Sequence, residues 1–331
     1  MRTPLHGVFL DHDTLSFDGD VDLAPLRAVL DGLEVHGTTP PAALAARIAA
    51  AEVVFTNKCA LDAASLAAAP ALKLICLAAT GFNNVDVAMA RGRGIAVCNI
   101  RGYCTPSVVQ HVFMLLLAHA QHLDGYRALV AARAWERAPQ FTLLDLPIHE
   151  LEGRTLGIVG YGELGRAVAK VAAAFGMRVL IAERKSADRR GAAPRAGRTA
   201  FETVLAASDF VTLHCPLDDS TRGLIGATEL ARMKPSAVLI NCARGAVVDE
   251  AALAAALRAG TIAGAGIDVL SQEPPRVVDG RGNALLEPGI PNLILTPHVA
   301  WAAVEARQRA IAQMVECVAA YRRGERFNRV D

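Results

Sequence analysis

The chain has 331 residues, enough for about two domains. It is 53% hydrophobic and 20% charged, with a mean hydropathy of +0.30, which excludes a wholly disordered polypeptide. Lys and Arg number 34 against 33 Asp and Glu, a net charge of +1, so no basic footprint marks a nucleic acid or anionic membrane partner.

In chain order, short β-branched runs alternate with Ala/Leu-rich helical stretches. Strands are expected at residues 53–55, 72–77 and 95–97, followed by one long helix over 105–132. A second series carries strands at 156–159, 179–182, 210–213, 237–240, 262–269 and 293–295, with helices at 164–175 and 250–259 among them. A last helix is expected over 299–322. Such alternation specifies parallel sheets covered on both faces. The expected architecture is α/β: two doubly wound parallel-sheet domains with a cleft between them. One is discontinuous, from residues 1–103 and 299–331, and the other spans 104–298. Residues 191–198, rich in Gly, Pro and Arg, read as a surface loop.

The first ten residues show no apolar core behind a basic start, and no apolar run reaches about 18 residues. A soluble cytoplasmic protein is expected. The seven cysteines are odd in number and none forms a C-x-x-C pair. They read as buried, reduced thiols rather than disulfides or zinc ligands.

Residues 155–159 form an apolar strand that runs into Gly160-Tyr161-Gly162-Glu163-Leu164-Gly165 and then an Ala-rich helix. The first glycine permits a tight turn. The second lets a pyrophosphate approach the backbone, and the third lets helix and strand pack closely, with the helix N-terminus facing the anion. Glu183, about 20 residues on at the end of the next strand, stands where a carboxylate accepts hydrogen bonds from an adenosine ribose. Its charge favours NAD over NADP, although Arg184 and Lys185 follow and could meet a 2′-phosphate.

Hydride transfer to a 2-oxo acid needs a cation for the carboxylate and a proton donor for the developing alkoxide. Asn241-Cys242-Ala243-Arg244-Gly245 follows a buried strand, Ile267-Asp268-Val269 ends another with Glu273 four residues on, and Thr296-Pro297-His298 follows a third. Each alone has an ordinary structural reading, as a surface charge, a loop acid or a helix-terminal residue. Together, beside a dinucleotide turn, they read as a site.

Residues 160–165, 241–250, 267–275 and 296–301 together resemble the NAD-dependent D-2-hydroxyacid dehydrogenases, and the resemblance spans nearly the whole chain. It implies a Rossmann dinucleotide-binding second domain. It implies Arg244 as the group that binds the substrate carboxylate and carbonyl, and His298, paired with Glu273, as the acid/base. Asp268 falls beside the nicotinamide amide. His214, Cys215 and Pro216 fall along the adenosine side, and Thr105, Glu163, Leu164, Cys242 and Ala243 complete the cofactor contacts. Cys242 stands where Thr or Ser is more common.

Residues 78–86 resemble the substrate-carboxylate loop, which assigns Thr80 and Gly81 to the substrate. Asn83 and Asn84 add polar lining, or serve only as turn residues. Residues 102–117 and 135–147 resemble the glycerate dehydrogenase (hydroxypyruvate reductase) branch, which implies a homodimer and reduction of hydroxypyruvate or glyoxylate by NADH to the D-2-hydroxy acid. His111, His119 and His122 share the expected long helix and read as structural, with no metal expected. Another 2-oxo acid specificity is the alternative within the family. A dinucleotide-sensing corepressor is the alternative from another class, disfavoured by the lack of an extended tail. Formate dehydrogenase would carry Gln in place of Glu273, and a phosphoglycerate dehydrogenase with a regulatory domain would extend well beyond the last helix.

Overall fold

A computed structural model describes residues 4–184, 195–277 and 282–331. The chain divides into two compact units, Met1–Cys104 with Trp301–Asp331, and Thr105–Ala300.

The first unit is built on five parallel strands: β1 (His6–Phe9), β2 (Gly32–Val35), β3 (Val53–Thr56), β4 (Leu74–Leu77) and β5 (Ala96–Cys98), in the order β2-β1-β3-β4-β5. Both faces are covered, so the inner strands are apolar throughout. Phe55 and Cys76 point into one core, and Val54, Ile75 and Leu77 into another. The terminal helix Val304–Arg323 completes the first core through Ala306, Ile311, Met314 and Val318. It is fastened by Arg307, whose guanidinium donates to both oxygens of Asp20, at 2.7 and 2.6 Å, and to the Leu15 carbonyl. That hydrogen bonding holds the Asp20 carboxyl well below the usual carboxylate range. Strands β1 and β2 were not expected from local pattern. Each is only four residues long, and Gly7 and Glu34 interrupt their apolar character.

The second unit carries β6 (Thr155–Val159), β7 (Arg178–Ile181), β8 (Phe210–Leu213), β9 (Val238–Asn241), β10 (Gly264–Ile267) and β11 (Leu293–Leu295), all parallel, in the order β11-β10-β9-β8-β6-β7. A parallel bridge from Ala182 to Thr199 extends the sheet beyond β7. Chain order therefore reverses between β6 and β8, the topological switch point where such sheets bind ligands. Two α/β units with parallel sheets are what the alternating pattern predicts.

The single helix expected over 105–132 is instead two. Thr105–Ala120 ends at Gln121, His122 adopts a left-handed conformation (φ +47°), and Leu123–Ala131 begins a new helix with Asp124 in its first turn. An acidic first turn suits a helix start because it opposes the positive end of the helix dipole. Of the expected loop, only residues 195–198 lie within the described chain.

Candidate active site

The loops that carry the motifs leave the C-terminal ends of successive strands in the second unit. After β6, the three glycines divide their labour as the sequence suggests. Gly160 has φ +94°, and a Cβ there would lie 2.5 Å from the Cys215 backbone nitrogen. A Cβ on Gly165 would lie 2.2 Å from the Gly160 carbonyl oxygen, so the helix Glu163–Ala174 packs on the turn only without a side chain there. Among the described residues, nothing lies within 4 Å of a Cβ position on Gly162, the N-cap of that helix. The turn is thus closed where the protein packs on itself and open at the helix N-terminus, the shape a pyrophosphate requires.

Beside it a cavity of about 230 Å³ is lined by Gly160, Tyr161, Glu183, Arg184, Cys215 and Pro216, among others. Both Glu183 oxygens accept backbone amides, from Arg184 at 3.0 Å and Arg195 at 2.8 Å. Arg184 in turn reaches Ser220 Oγ at 3.1 Å and Asp218 at 3.4 Å. Lys185 lies outside the described residues. His214 is half-buried with its Nδ1 shielded from solvent, and desolvation pushes its pKa down to about 4, so the ring is neutral at pH 7. Its Nε2 meets Thr212 Oγ1 at 3.0 Å, and among the described residues its Nδ1 has no hydrogen-bond partner. An orphaned buried nitrogen beside an open glycine turn fits a dinucleotide site. At the start of the unit, Thr105 Oγ1 donates to Glu163 Oε1 at 2.5 Å, which ties the first helix to the turn.

After β9, the Asn241 side chain organises the next loop, accepting from Ala243 N and donating to the Arg244 carbonyl, both at 3.0 Å. Arg244 is exposed, with Nη1 donating to the Ala243 carbonyl at 2.7 Å. Gly245 lets this loop meet the loop after β10, since a Cβ would fall 1.9 Å from the Leu270 carbonyl carbon. Cys242 is buried, and desolvation with the nearby Asp268 charge pushes its thiol pKa far up, so it stays protonated.

Across that contact, Glu273 Oε1 accepts from Leu270 N at 2.8 Å and Oε2 lies 2.6 Å from His298 Nδ1. A carboxylate can only accept, so Nδ1 carries the proton of this bond. His298 itself has φ +56°, a conformation that costs a non-glycine residue of order 1–3 kcal/mol and persists only where the surroundings over-determine it. Asp268, 1% exposed, supplies that constraint. Its carboxylate accepts from Thr296 Oγ1 (2.6 Å), Val299 N (2.9 Å) and Ala300 N (2.9 Å), and its carbonyl accepts from His298 N (2.8 Å). His111 Nε2 stands 2.9 Å from Thr296 Oγ1. Neither His111 nor Thr296 was assigned a role from sequence: their partners lie far along the chain, and only the fold brings them together.

In the first unit, residues 78–86 follow β4. Asn99 Nδ2 donates to the Thr80 carbonyl at 2.7 Å, and Asn84 Nδ2 donates to the Cys59 carbonyl at 2.9 Å. Asn84 therefore fastens the loop, the turn-residue alternative. Around Gly81, among the described residues, only Asn83 Oδ1 approaches a Cβ position, at 3.6 Å, which is ordinary contact. Among the described residues, no group of three or more His, Cys, Asp or Glu could hold a metal, and no helix is long and apolar enough to cross a membrane.

A doubly wound sheet with this turn at its switch point is a dinucleotide-binding domain, and ionisable groups at its strand ends are the mark of the dehydrogenases built on it. The family model for the D-isomer specific 2-hydroxyacid dehydrogenase NAD-binding domain matches residues 113–300. A glycerate dehydrogenase of Methylorubrum extorquens is 43% identical over 98% of this chain and 98% of its own. A hydroxypyruvate reductase of Blautia hydrogenotrophica is 35% identical over 95% of this chain and 96% of its own. A crystal structure from Thermus thermophilus superposes with a TM-score of 0.81 at 33% identity, covering 99% of this chain and all of that one. The chain belongs to the D-isomer-specific 2-hydroxyacid dehydrogenases, an NAD-binding enzyme family.

Proposed function

We propose that this enzyme reduces hydroxypyruvate, and secondarily glyoxylate, to the D-2-hydroxy acid. The observation that carries the reading is the 2.6 Å pair between His298 and Glu273, in the same unit as the dinucleotide turn and Arg244. The likeness of the whole chain to a glycerate dehydrogenase points the same way.

NADH, held by the Gly160–Gly165 turn, Glu183 and the His214–Pro216 segment, supplies the hydride when bound. The chain's own residues do the rest. Arg244 offers a fork of N–H donors suited to a carboxylate and the adjacent carbonyl, and it orients that carbonyl. Thr80 and Gly81 are proposed to add substrate contacts. His298 keeps Nδ1 against Glu273 and delivers the Nε2 proton to the oxygen that becomes the alkoxide. In the oxidative direction the same nitrogen takes the proton back.

The test compares kcat/KM for hydroxypyruvate, glyoxylate, pyruvate and phenylpyruvate with NADH, with chiral analysis of the product. Hydroxypyruvate should be fastest. Faster phenylpyruvate turnover, or an L-configured product, would refute the assignment.

We further propose a homodimer in the cytoplasm. The helix Leu123–Ala131 buries none of its residues, and Val130, Trp135, Phe141 and Leu144 are all more than half exposed. An apolar band of this kind on a monomer marks an association surface.

A further inference from the structure

We propose that His111 is a positioning residue for the proton donor: with Ser107 on the same helix, it grips both ends of the turn that aims His298.

The geometry runs through one hydroxyl. Thr296 Oγ1 has a single proton and donates it to Asp268 Oδ1 at 2.6 Å. It must therefore accept at 2.9 Å from His111, which fixes the proton of that imidazole on Nε2. Burial lowers the pKa of His111 despite the Asp268 charge 3.5 Å from Nε2, which keeps the ring neutral. His111 thus acts as an oriented N–H donor and leaves the Asp268 charge to the backbone amides of Val299 and Ala300.

Four residues earlier, one helical turn away on the same face, Ser107 Oγ donates to the Ala300 carbonyl at 2.6 Å. The helix therefore holds residue 296 through His111 and residue 300 through Ser107. Between them stands His298 in its left-handed conformation, which a relaxed turn would not retain. Rotation of Asp268 or slippage of the turn would move the imidazole relative to Glu273, and a shift of about 1 Å at a reacting group can cost about 100-fold in rate.

This rests on His298 as the proton donor, which the His298→Asn variant tests separately. Wild-type turnover in H298N removes that role; an inactive H298N beside a normal H111L overturns only the positioning.

The experiment uses the full-length enzyme with NADH and hydroxypyruvate. H111L, which removes the donor, should lower kcat by about 10- to 100-fold, with NADH Kd by fluorescence, substrate KM and Tm nearly unchanged. H111Q retains an N–H at similar reach and should recover most of that loss. T296V leaves the helix untouched but removes the Asp268 bond as well as the His111 bond, so it should be at least as impaired as H111L, and the double variant should be no slower than T296V alone, because His111 acts only through Thr296. The proposal is overturned if H111L or T296V keeps kcat within about twofold of the parent, or if their losses multiply. It is also overturned if H111Q is as impaired as H111L with a fall in Tm, the signature of a merely structural histidine.

Discussion

Replacing His298 tests the chemistry and the backbone strain together if two variants are compared. At φ +56° the position favours residues that tolerate the left-handed region, and Asn does so better than Gln. Asn and Gln each remove the ionisable donor. Loss of a positioned general acid lowers turnover by about 10²–10⁴-fold, or roughly 2.7–5.5 kcal/mol of transition-state stabilisation. Both variants should show this loss. The strain cost separates them: Gln in the left-handed region adds about 1 kcal/mol, which for a unit of this size lowers Tm by about 2–4 °C, whereas Asn should leave Tm close to the parent. NADH binding should be retained in both, because neither substitution alters the glycine turn after β6. Stopped-flow turnover, fluorescence titration of NADH and calorimetry give the three numbers. If H298N retains more than about a tenth of parental turnover, His298 is not the general acid.

Arg244→Lys should raise substrate KM and lower kcat together, since an ammonium cannot reproduce the guanidinium fork; near-normal kinetics would make Arg244 structural. Gly165→Ala places a Cβ 2.2 Å from the Gly160 carbonyl, and overpacking against backbone should cost about 1–3 kcal/mol or more. NADH affinity should fall with it, and unchanged NADH titration would contradict the packing argument. Glu183→Ser removes a carboxylate that would face a 2′-phosphate. At about 1 kcal/mol for two charges 4 Å apart in water, the NADH-to-NADPH ratio of kcat/KM should narrow roughly fivefold, and an unchanged ratio would remove Glu183 from the ribose site. Phe141→Glu with Leu144→Glu, at positions 91% and 82% exposed, should convert a dimer to a monomer in light scattering without unfolding it. A parent protein that is already monomeric at micromolar concentration would defeat the dimer.

Periodicity and turn chemistry made much of this molecule legible before its structure. Strands β8 and β11 fall where their apolar runs predict, and the Gly160–Gly165 turn is recognisable because each of its glycines answers a local steric demand. Where the local signal was weak, pattern alone misled. β1 and β2 are short and interrupted, and they exist because β3 and the helices around it complete their burial. The break at His122 carries no proline and follows no glycine, so the run of helix formers read straight through it.

The sequence by itself determined the class of the fold, the cofactor turn and the residue types at the strand ends, because those depend on spacing within a few turns of chain. The tertiary structure alone decided how those strand ends combine. Parallel pairing aligns the exits of β9, β10 and β11, so that Gly245 admits Leu270, Glu273 reaches His298, and Asp268 closes on the amides of residues 299 and 300. The same packing turns His111, an ordinary histidine in an apolar helix, toward Thr296, which is 185 residues away in sequence and 2.9 Å away in space. Contacts of that separation leave no local periodicity, because they arise only when separate elements bury their apolar faces against one another.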